Sequence, residues 1–186
     1  MIGNSIAGFL GTGVAASTSS FESIATLSGT GASTTISFTS IPSTFSHLQL
    51  RVLGRSDSAA AAGTITVYPN GDTTAANYAR HRLSTDGATV TATGTASGVM
   101  QLGRVSAGTA AANIMGVTIL DIIDYASTSK YKTFRSLSGH DQNGSGDLWL
   151  TSGLYMSLTA INRVDLVIGG NWTTATTIGL YGIKGA

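Results

Sequence analysis

Residues 47–53, His-Leu-Gln-Leu-Arg-Val-Leu, alternate polar and apolar side chains as far as Val52. A period of two is the pattern of a β-strand with one buried face, because successive side chains point to opposite sides of a sheet. The alternation places Leu48, Leu50 and Val52 on the inward face. Residues 34–39 repeat the pattern, with Ile36 and Phe38 sharing a face. Both stretches predict an all-β fold.

Further strand patterns occur on either side of these two stretches, separated by short Gly-, Asn- and Ser-rich turns. The longest apolar run, residues 113–125, is rich in β-branched side chains and predicts a central strand buried on both faces. Residues 72–83 are where we expect a helical turn, since three alanines permit it. The spacing as a whole predicts a two-sheet β-sandwich of about 8–10 strands.

The composition excludes several classes of protein. Only 10% of the 186 residues are charged, whereas Gly, Ser and Thr number 24, 23 and 27. The absence of cysteine excludes disulfide frameworks and thiolate metal sites. A net charge of +1 gives no electrostatic reason to expect binding to nucleic acid or to an anionic membrane. So few ions on the surface suit a subunit that packs against its own copies, because buried charges are costly to desolvate.

Residues 1–20 differ from the rest of the chain, since the first charged residue is Glu22. A signal peptide is one interpretation, but no Lys or Arg precedes the apolar stretch, which is also too short to span a bilayer. We expect a segment that docks on a partner, followed by one sandwich domain over residues 21–186. Its docking side chains would be Ile2, Ile6, Phe9, Leu10 and Val14.

Residues 141–147, Asp-Gln-Asn-Gly-Ser-Gly-Asp, are the best candidate for a metal site. Oxygen-bearing side chains at alternate positions (Asp141, Asn143, Ser145 and Asp147), with Gly at the sixth, match the first half of a calcium loop. However, the twelfth position is Ser152 instead of a bidentate Glu. A polar hairpin loop is the favoured interpretation, with calcium as a weak alternative and no other cofactor expected.

Two other groups of residues match patterns of known catalytic or binding sites only in part. Residues 127–130 match the S-x-x-K spacing of acyl-serine enzymes, but a surface turn is favoured because that chemistry needs a helix. Residues 80–82, Arg-His-Arg, could form a small basic patch for a carboxylate or phosphate. A solvated face, or an Arg stacked across a subunit contact, is the favoured alternative.

Carboxylates and aromatics complete the candidate residues. We expect Asp121 and Asp124 to cap a strand end or to pair with Lys130, Lys132 or Arg135. Four aromatics could form a sugar-stacking platform, although single aromatics in strands are usually core or interface residues. They are Trp149, Tyr155, Trp172 and Tyr181. No catalytic pattern emerges, and we do not expect an enzyme.

Several stretches in a fixed order resemble a group of tailed-bacteriophage virion proteins. The stretches are residues 21–26, 40–51, 70–72, 77–83, 121–125, 130–133 and 179–185. The resemblance covers residues 21–186, and none of its motifs is tied to a reaction. Residues 1–20 lie outside it.

The resemblance implies a virion structural protein, a homotrimeric appendage of the tail-fibre type that displays a jelly-roll-like β-sandwich for attachment to the host surface. It places the protein on the exterior of the particle, in contact with other virion proteins and with a host glycan or protein. A capsid decoration protein with the same fold is the first alternative, and a glycan-degrading depolymerase the second. We expect neither nucleic-acid binding nor membrane insertion.

Overall fold

The computed structural model describes residues 19–185, which form twelve β-strands and no α-helix. The strands are β1 (Phe21–Ser28), β2 (Thr35–Phe38), β3 (His47–Gly54), β4 (Ala62–Pro69), β5 (Tyr78–Thr85), β6 (Val90–Thr95), β7 (Gln101–Ser106), β8 (Gly116–Ile123), β9 (Lys132–Asp141), β10 (Gly146–Tyr155), β11 (Val164–Val167) and β12 (Thr177–Ile183). A single 3₁₀ turn, Ala75–Asn77, precedes β5. Nothing within residues 19–185 is a helix capable of spanning a lipid bilayer.

The strands form two antiparallel sheets that pack as a sandwich, which confirms the expected fold class. The large sheet has the order β1-β12-β3-β8-β9-β10-β5-β6, and the small sheet the order β2-β11-β4-β7. Without the hairpins β5–β6 and β9–β10, the remaining eight strands form two four-stranded sheets of order β1-β12-β3-β8 and β2-β11-β4-β7, which is the arrangement of a jelly roll. The two hairpins raise the strand number above the 8–10 expected, and both lengthen the large sheet on the same side.

The core lies between the sheets and is built from the alternating faces that the sequence predicts. Leu48, Leu50 and Val52 of β3 are buried, and so are Ile36 and Phe38 of β2. Each such aliphatic side chain contributes roughly 1.5–3 kcal/mol through removal from water.

A second anchor of the core is Trp172, which is completely buried. Its indole Nε1 donates a hydrogen bond to the carbonyl of Leu166, 3.2 Å away. The polar atom of this large side chain is therefore satisfied inside the sandwich.

The edge strand β7 of the small sheet packs against the middle strands of the large sheet. A Cβ at Gly116 would lie 2.4 Å from the Cα of Val105, so only glycine allows the two backbones to approach this closely. The Thr118 hydroxyl donates to the carbonyl of Arg104, 3.2 Å away, and Ser138 Oγ accepts from the Arg104 amide at 3.1 Å. These hydroxyls satisfy backbone groups of an edge strand that has no further strand beside it.

One expectation from the sequence is wrong. Residues 113–125 were expected to be buried on both faces, but β8 is buried on one face only, and Val117 and Ile119 are exposed on the other. The helical turn expected within residues 72–83 is confirmed as the 3₁₀ turn Ala75–Asn77, after which pairing with β10 makes β5 a strand. The predicted docking residues Ile2, Ile6, Phe9, Leu10 and Val14 lie outside the described residues.

Asp72 organises the loop through which the chain passes from the small sheet to the large one. Its carboxylate accepts hydrogen bonds from the Thr74 amide at 2.8 Å, the Asn77 side chain at 2.7 Å and the Tyr155 hydroxyl at 3.1 Å. Burial opposes ionisation of Asp72, but these hydrogen bonds outweigh it and lower the pKa below 3.8.

We expect Asp72→Ala to lower the free energy of unfolding by about 2 kcal/mol at neutral pH, because three donors lose a charged acceptor. The loss should shrink below pH 3.8, as falling pH protonates the wild-type carboxylate through its lowered pKa. Urea unfolding at several pH values measures both effects. Asp141→Ala, at an exposed carboxylate, is the control and should cost less than about 0.5 kcal/mol.

Lys132 is completely buried on the inner face of β9. Its ammonium donates to the carbonyl of Ser157 at 2.9 Å, and no carboxylate among residues 19–185 lies within ion-pair distance of it. Burial lowers the pKa of Lys132 below 10.5. The folded protein therefore binds this proton less tightly than the unfolded chain does.

We expect Lys132→Met to raise the free energy of unfolding by about 1 kcal/mol at pH 7, because an apolar side chain replaces an unpaired buried ion. The difference in stability between Lys132→Met and the wild type should diminish as the pH rises towards 10.5. At higher pH the wild-type lysine is increasingly deprotonated, so folding no longer buries a charged ammonium. Paired urea titrations at neutral and alkaline pH test this. A variant that is less stable than the wild type at both pH values contradicts the prediction.

Candidate functional site

The outer face of the large sheet carries an apolar row that crosses several strands. Ile119 of β8 lies opposite Leu137 of β9, and Leu137 lies opposite Leu150 of β10. Leu150 in turn faces Leu83 of β5. Because the small sheet packs on the other side, nothing within residues 19–185 covers these four side chains, and 37–49% of each is exposed.

A second apolar row lies beside the first. Leu53 is opposite Val117, and Leu148 lies on the far side of Gly139. We call the two rows together the outer patch, and its members are Leu53, Leu83, Val90, Val117, Ile119, Leu137, Leu148 and Leu150. Their side chains are 37–69% exposed. The outer patch presents roughly 700 Å², above the largest patch of a typical monomer and near the roughly 800 Å² per partner of a standard interface.

The outer patch has both ridges and depressions. A depression of about 860 Å³ opens beside Val117 and Leu148, at the end of the outer patch next to residues 85–88 and 144–147. A second depression, of about 500 Å³, lies beside Leu83 and Leu150. A surface with leucine ridges next to such hollows offers the two halves of a complementary contact.

A polar row borders the outer patch. Asp121 accepts a hydrogen bond from Gln49 Nε2 at 2.8 Å and pairs with Arg135 at 3.0 Å. At the strand end, Asp124 pairs with Lys130 at 2.8 Å, and the hydrogen bond from Lys130 lowers the pKa of Asp124. The expected ion pairs of both aspartates are therefore present: Asp121 pairs with Arg135, and Asp124 pairs with Lys130. Lys132 takes part in neither pair. The ions are thus neutralised at the edge of the apolar surface.

The loop of the calcium prediction does not gather its carboxylates. Asp147 pairs with Arg104 at 2.8 Å and lies 3.0 Å from His140 Nδ1 on the inner face. Asp141 is exposed, and it accepts a hydrogen bond from the Asn143 amide at 2.7 Å. No group of three or more His, Cys, Asp or Glu suited to a metal occurs within residues 19–185. Calcium binding through Asp141, Asn143, Ser145 and Asp147 stays a prediction.

The Arg-His-Arg stretch is divided between the two faces of β5. His81 is exposed on the outer face, whereas Arg80 and Arg82 are half-buried on the inner face. There Arg82 lies close to Arg104 of β7, because both stack on the ring of Trp149. The sequence interpretation did not join Arg104 to this stretch. Only the alternation of a strand could have indicated that His81 points away, and no local signal links residue 104 to residues 80–82.

The four aromatics of the proposed platform lie in different places. Trp172 is in the core, and Tyr155 stacks on Tyr78 with ring centroids 5.2 Å apart. Tyr181 stacks on Phe21 at 4.8 Å, and Trp149 is buried beneath arginines. They form no common surface for a sugar.

The S-x-x-K match is a turn, as expected. Ser127 Oγ accepts hydrogen bonds from the backbone amides of Ser129 and Lys130, at 3.3 and 3.1 Å. The Lys130 ammonium is directed to Asp124 instead of Ser127.

A scan against protein-family models and searches of curated proteins and of solved structures found no match to this chain. A sandwich fold by itself hosts many functions. The function is therefore argued from the surfaces of the molecule, of which the outer patch is the largest apolar one described above.

Proposed function

We propose that the protein is a structural subunit of a bacteriophage particle, a homotrimer that displays its sandwich on the outside of the virion for attachment to the host surface. The role is architectural and non-enzymatic. The phage assignment rests on the resemblance of residues 21–186 to virion proteins. The observation that carries the assembly is the outer patch.

The outer patch supports contact with further copies of the same chain. Its apolar residues would leave water on association, and each buried Leu, Ile or Val side chain is worth up to roughly 1.5–3 kcal/mol. The paired ions Asp121 and Arg135 lie at its border, where they stay solvated. An interface that is apolar in the centre and polar at the rim is the usual anatomy of a permanent contact.

The width of the outer patch supports a trimer. It extends from Leu53 on β3 to Val90 on β6, a span of six neighbouring strands. Around a threefold axis each subunit meets two neighbours, so one half of the patch would contact the opposite half of the next copy. The ridges at Leu137 and Leu150 and the depression beside Val117 and Leu148 suit such an unlike pairing.

We expect the purified full chain to have the mass of three 18.9 kDa subunits by light scattering at micromolar concentration. Leu137→Glu and Leu150→Glu should each weaken assembly by at least about 100-fold, because a carboxylate would be buried without a partner. Because both side chains are half exposed, the secondary structure of each variant should remain unchanged by circular dichroism.

Thr39→Glu is the matched control, since it adds the same charge at an exposed position away from the large sheet. It should leave the trimer intact. A wild-type monomer at these concentrations overturns the assembly, and a dimer that Leu137→Glu disrupts keeps the interface but overturns the trimer.

A separate experiment tests whether the protein belongs to the tail or to the capsid of the particle. Quantitative mass spectrometry of purified phage particles should find a few dozen copies or fewer if the protein belongs to the tail. Hundreds of copies per particle would instead favour the decoration of a capsid lattice. Absence of the chain from particles produced by the phage that encodes it would overturn the virion assignment.

A further inference from the structure

The inner face of the large sheet is only partly covered by the small sheet. The edge strand β7 reaches β8, β9 and part of β10, while β5 and β6 extend beyond it. Every residue of β6 before Thr95 is exposed, which shows that no second layer of the described chain covers this end. The two extra hairpins thus create a step, with β7 as its wall and β10, β5 and β6 as its floor.

Three arginines meet at this step, and we call Arg80, Arg82 and Arg104 the arginine cluster. Arg80 and Arg82 point inward from β5, opposite Thr95 and Thr93 of β6. Arg104 comes from β7 and reaches the same floor, where its Cζ lies 4.8 Å from the ring centroid of Trp149. Arg82 lies over the same ring at 3.8 Å.

Neighbouring groups hold the cluster in place. Arg104 donates through Nε to Asp147 at 2.8 Å and through a terminal nitrogen to the Thr64 hydroxyl at 3.2 Å. The indole of Trp149 supports the planar guanidinium of Arg82 through a cation–π contact. The side chains are therefore positioned before any ligand arrives, which lowers the entropy cost of binding.

Several buried polar groups at the step have no hydrogen-bond partner within the described residues. The Nε atoms of Arg80 and Arg82 are buried and have no hydrogen-bond partner among residues 19–185. Deeper in the same row, the hydroxyls of Thr151 and Ser136 are also buried without a partner in that part of the chain. Buried donors without acceptors are rare in folded proteins because they lose their bonds to water.

The cluster also carries excess positive charge. Three guanidiniums share one carboxylate, Asp147, and neither Arg80 nor Arg82 forms an ion pair within the described part of the chain. Burial lowers the pKa of Arg82, and the charges of Arg80 and Arg104 lower it further, while Asp147 opposes them. An anion bound at this position would reduce the repulsion between the guanidiniums further.

We propose that the arginine cluster binds a small oxyanion, a carboxylate, sulfate or phosphate group, at the step between β7 and the β5–β6 hairpin. Guanidinium groups bind such oxygens through paired, charge-assisted hydrogen bonds. The guanidiniums of Arg80 and Arg82 donate no hydrogen bond within residues 19–185, so they supply donors for this contact, and Thr93 and Thr95 add hydroxyls beside it. The oxyanion is either a free ion or the charged group of a larger molecule.

The site is independent of the proposed assembly, because it lies on the opposite face of the sheet from the outer patch. Isothermal titration of the full chain with sodium sulfate, inorganic phosphate and sodium citrate tests it at low ionic strength. Sodium chloride of equal ionic strength is the reference. We expect saturable binding of at least one oxyanion, accompanied by shifts of the arginine Nε–H resonances of Arg80 and Arg82 in ¹H–¹⁵N spectra.

Arg80→Gln and Arg82→Gln should each weaken the binding about tenfold or more. Arg135→Gln removes the same charge from the outer face of the sheet and should change the binding less than about twofold. Arg82→Lys keeps the charge without the Nε donor and should also bind more weakly than the wild type.

The outcomes separate clearly. Equal weakening by Arg135→Gln shows only a general effect of net charge and overturns the proposal. So does a wild-type spectrum in which no arginine Nε–H resonance shifts at saturating oxyanion, a readout that needs no variant to fold. A preference for citrate over sulfate and phosphate identifies a carboxylate ligand, and the reverse preference identifies a tetrahedral oxyanion; each supports the site.

Discussion

The unequal size of the two sheets is the constraint on which the other features of this molecule depend. A sheet buries apolar surface only where another layer covers it, and here four strands face eight. The small sheet covers the inner face from β1 to part of β10. The core therefore forms between β12, β3, β8 and β9 on one side and β2, β11, β4 and β7 on the other. The small sheet leaves the overhanging strands β5 and β6 uncovered, together with the whole outer face.

The two uncovered regions differ in polarity. The overhang is polar and holds the arginine cluster, whose charges would be intolerable in a dry core. The outer face is instead apolar across β3, β8, β9, β10 and β5, with its few ions paired at the border. A polar overhang is compatible with water or a dissolved ligand, whereas apolar faces of this size usually mark interaction sites.

The alternation of Leu48, Leu50 and Val52 with polar neighbours was sufficient to predict a strand and the side that is buried. The run at residues 113–125 was harder, because it contains apolar residues on both faces of β8. The pattern indicated burial of both faces, and within the described residues only one is buried. Val117 and Ile119 have the side chains of an interior strand, but nothing within residues 19–185 gives them that environment. The prediction failed at the position where the function is now proposed.

Local sequence therefore determined the all-β class, the strand faces and the polar turns, since these depend on side chains two positions apart. The tertiary structure alone decided which faces meet. Arg82 and Arg104 are brought to the same tryptophan by pairings between distant strands, and His81 is separated from its two neighbours because adjacent residues of a strand point in opposite directions. The extension of one sheet beyond the other is likewise a property of pairing order, which no short stretch of sequence contains.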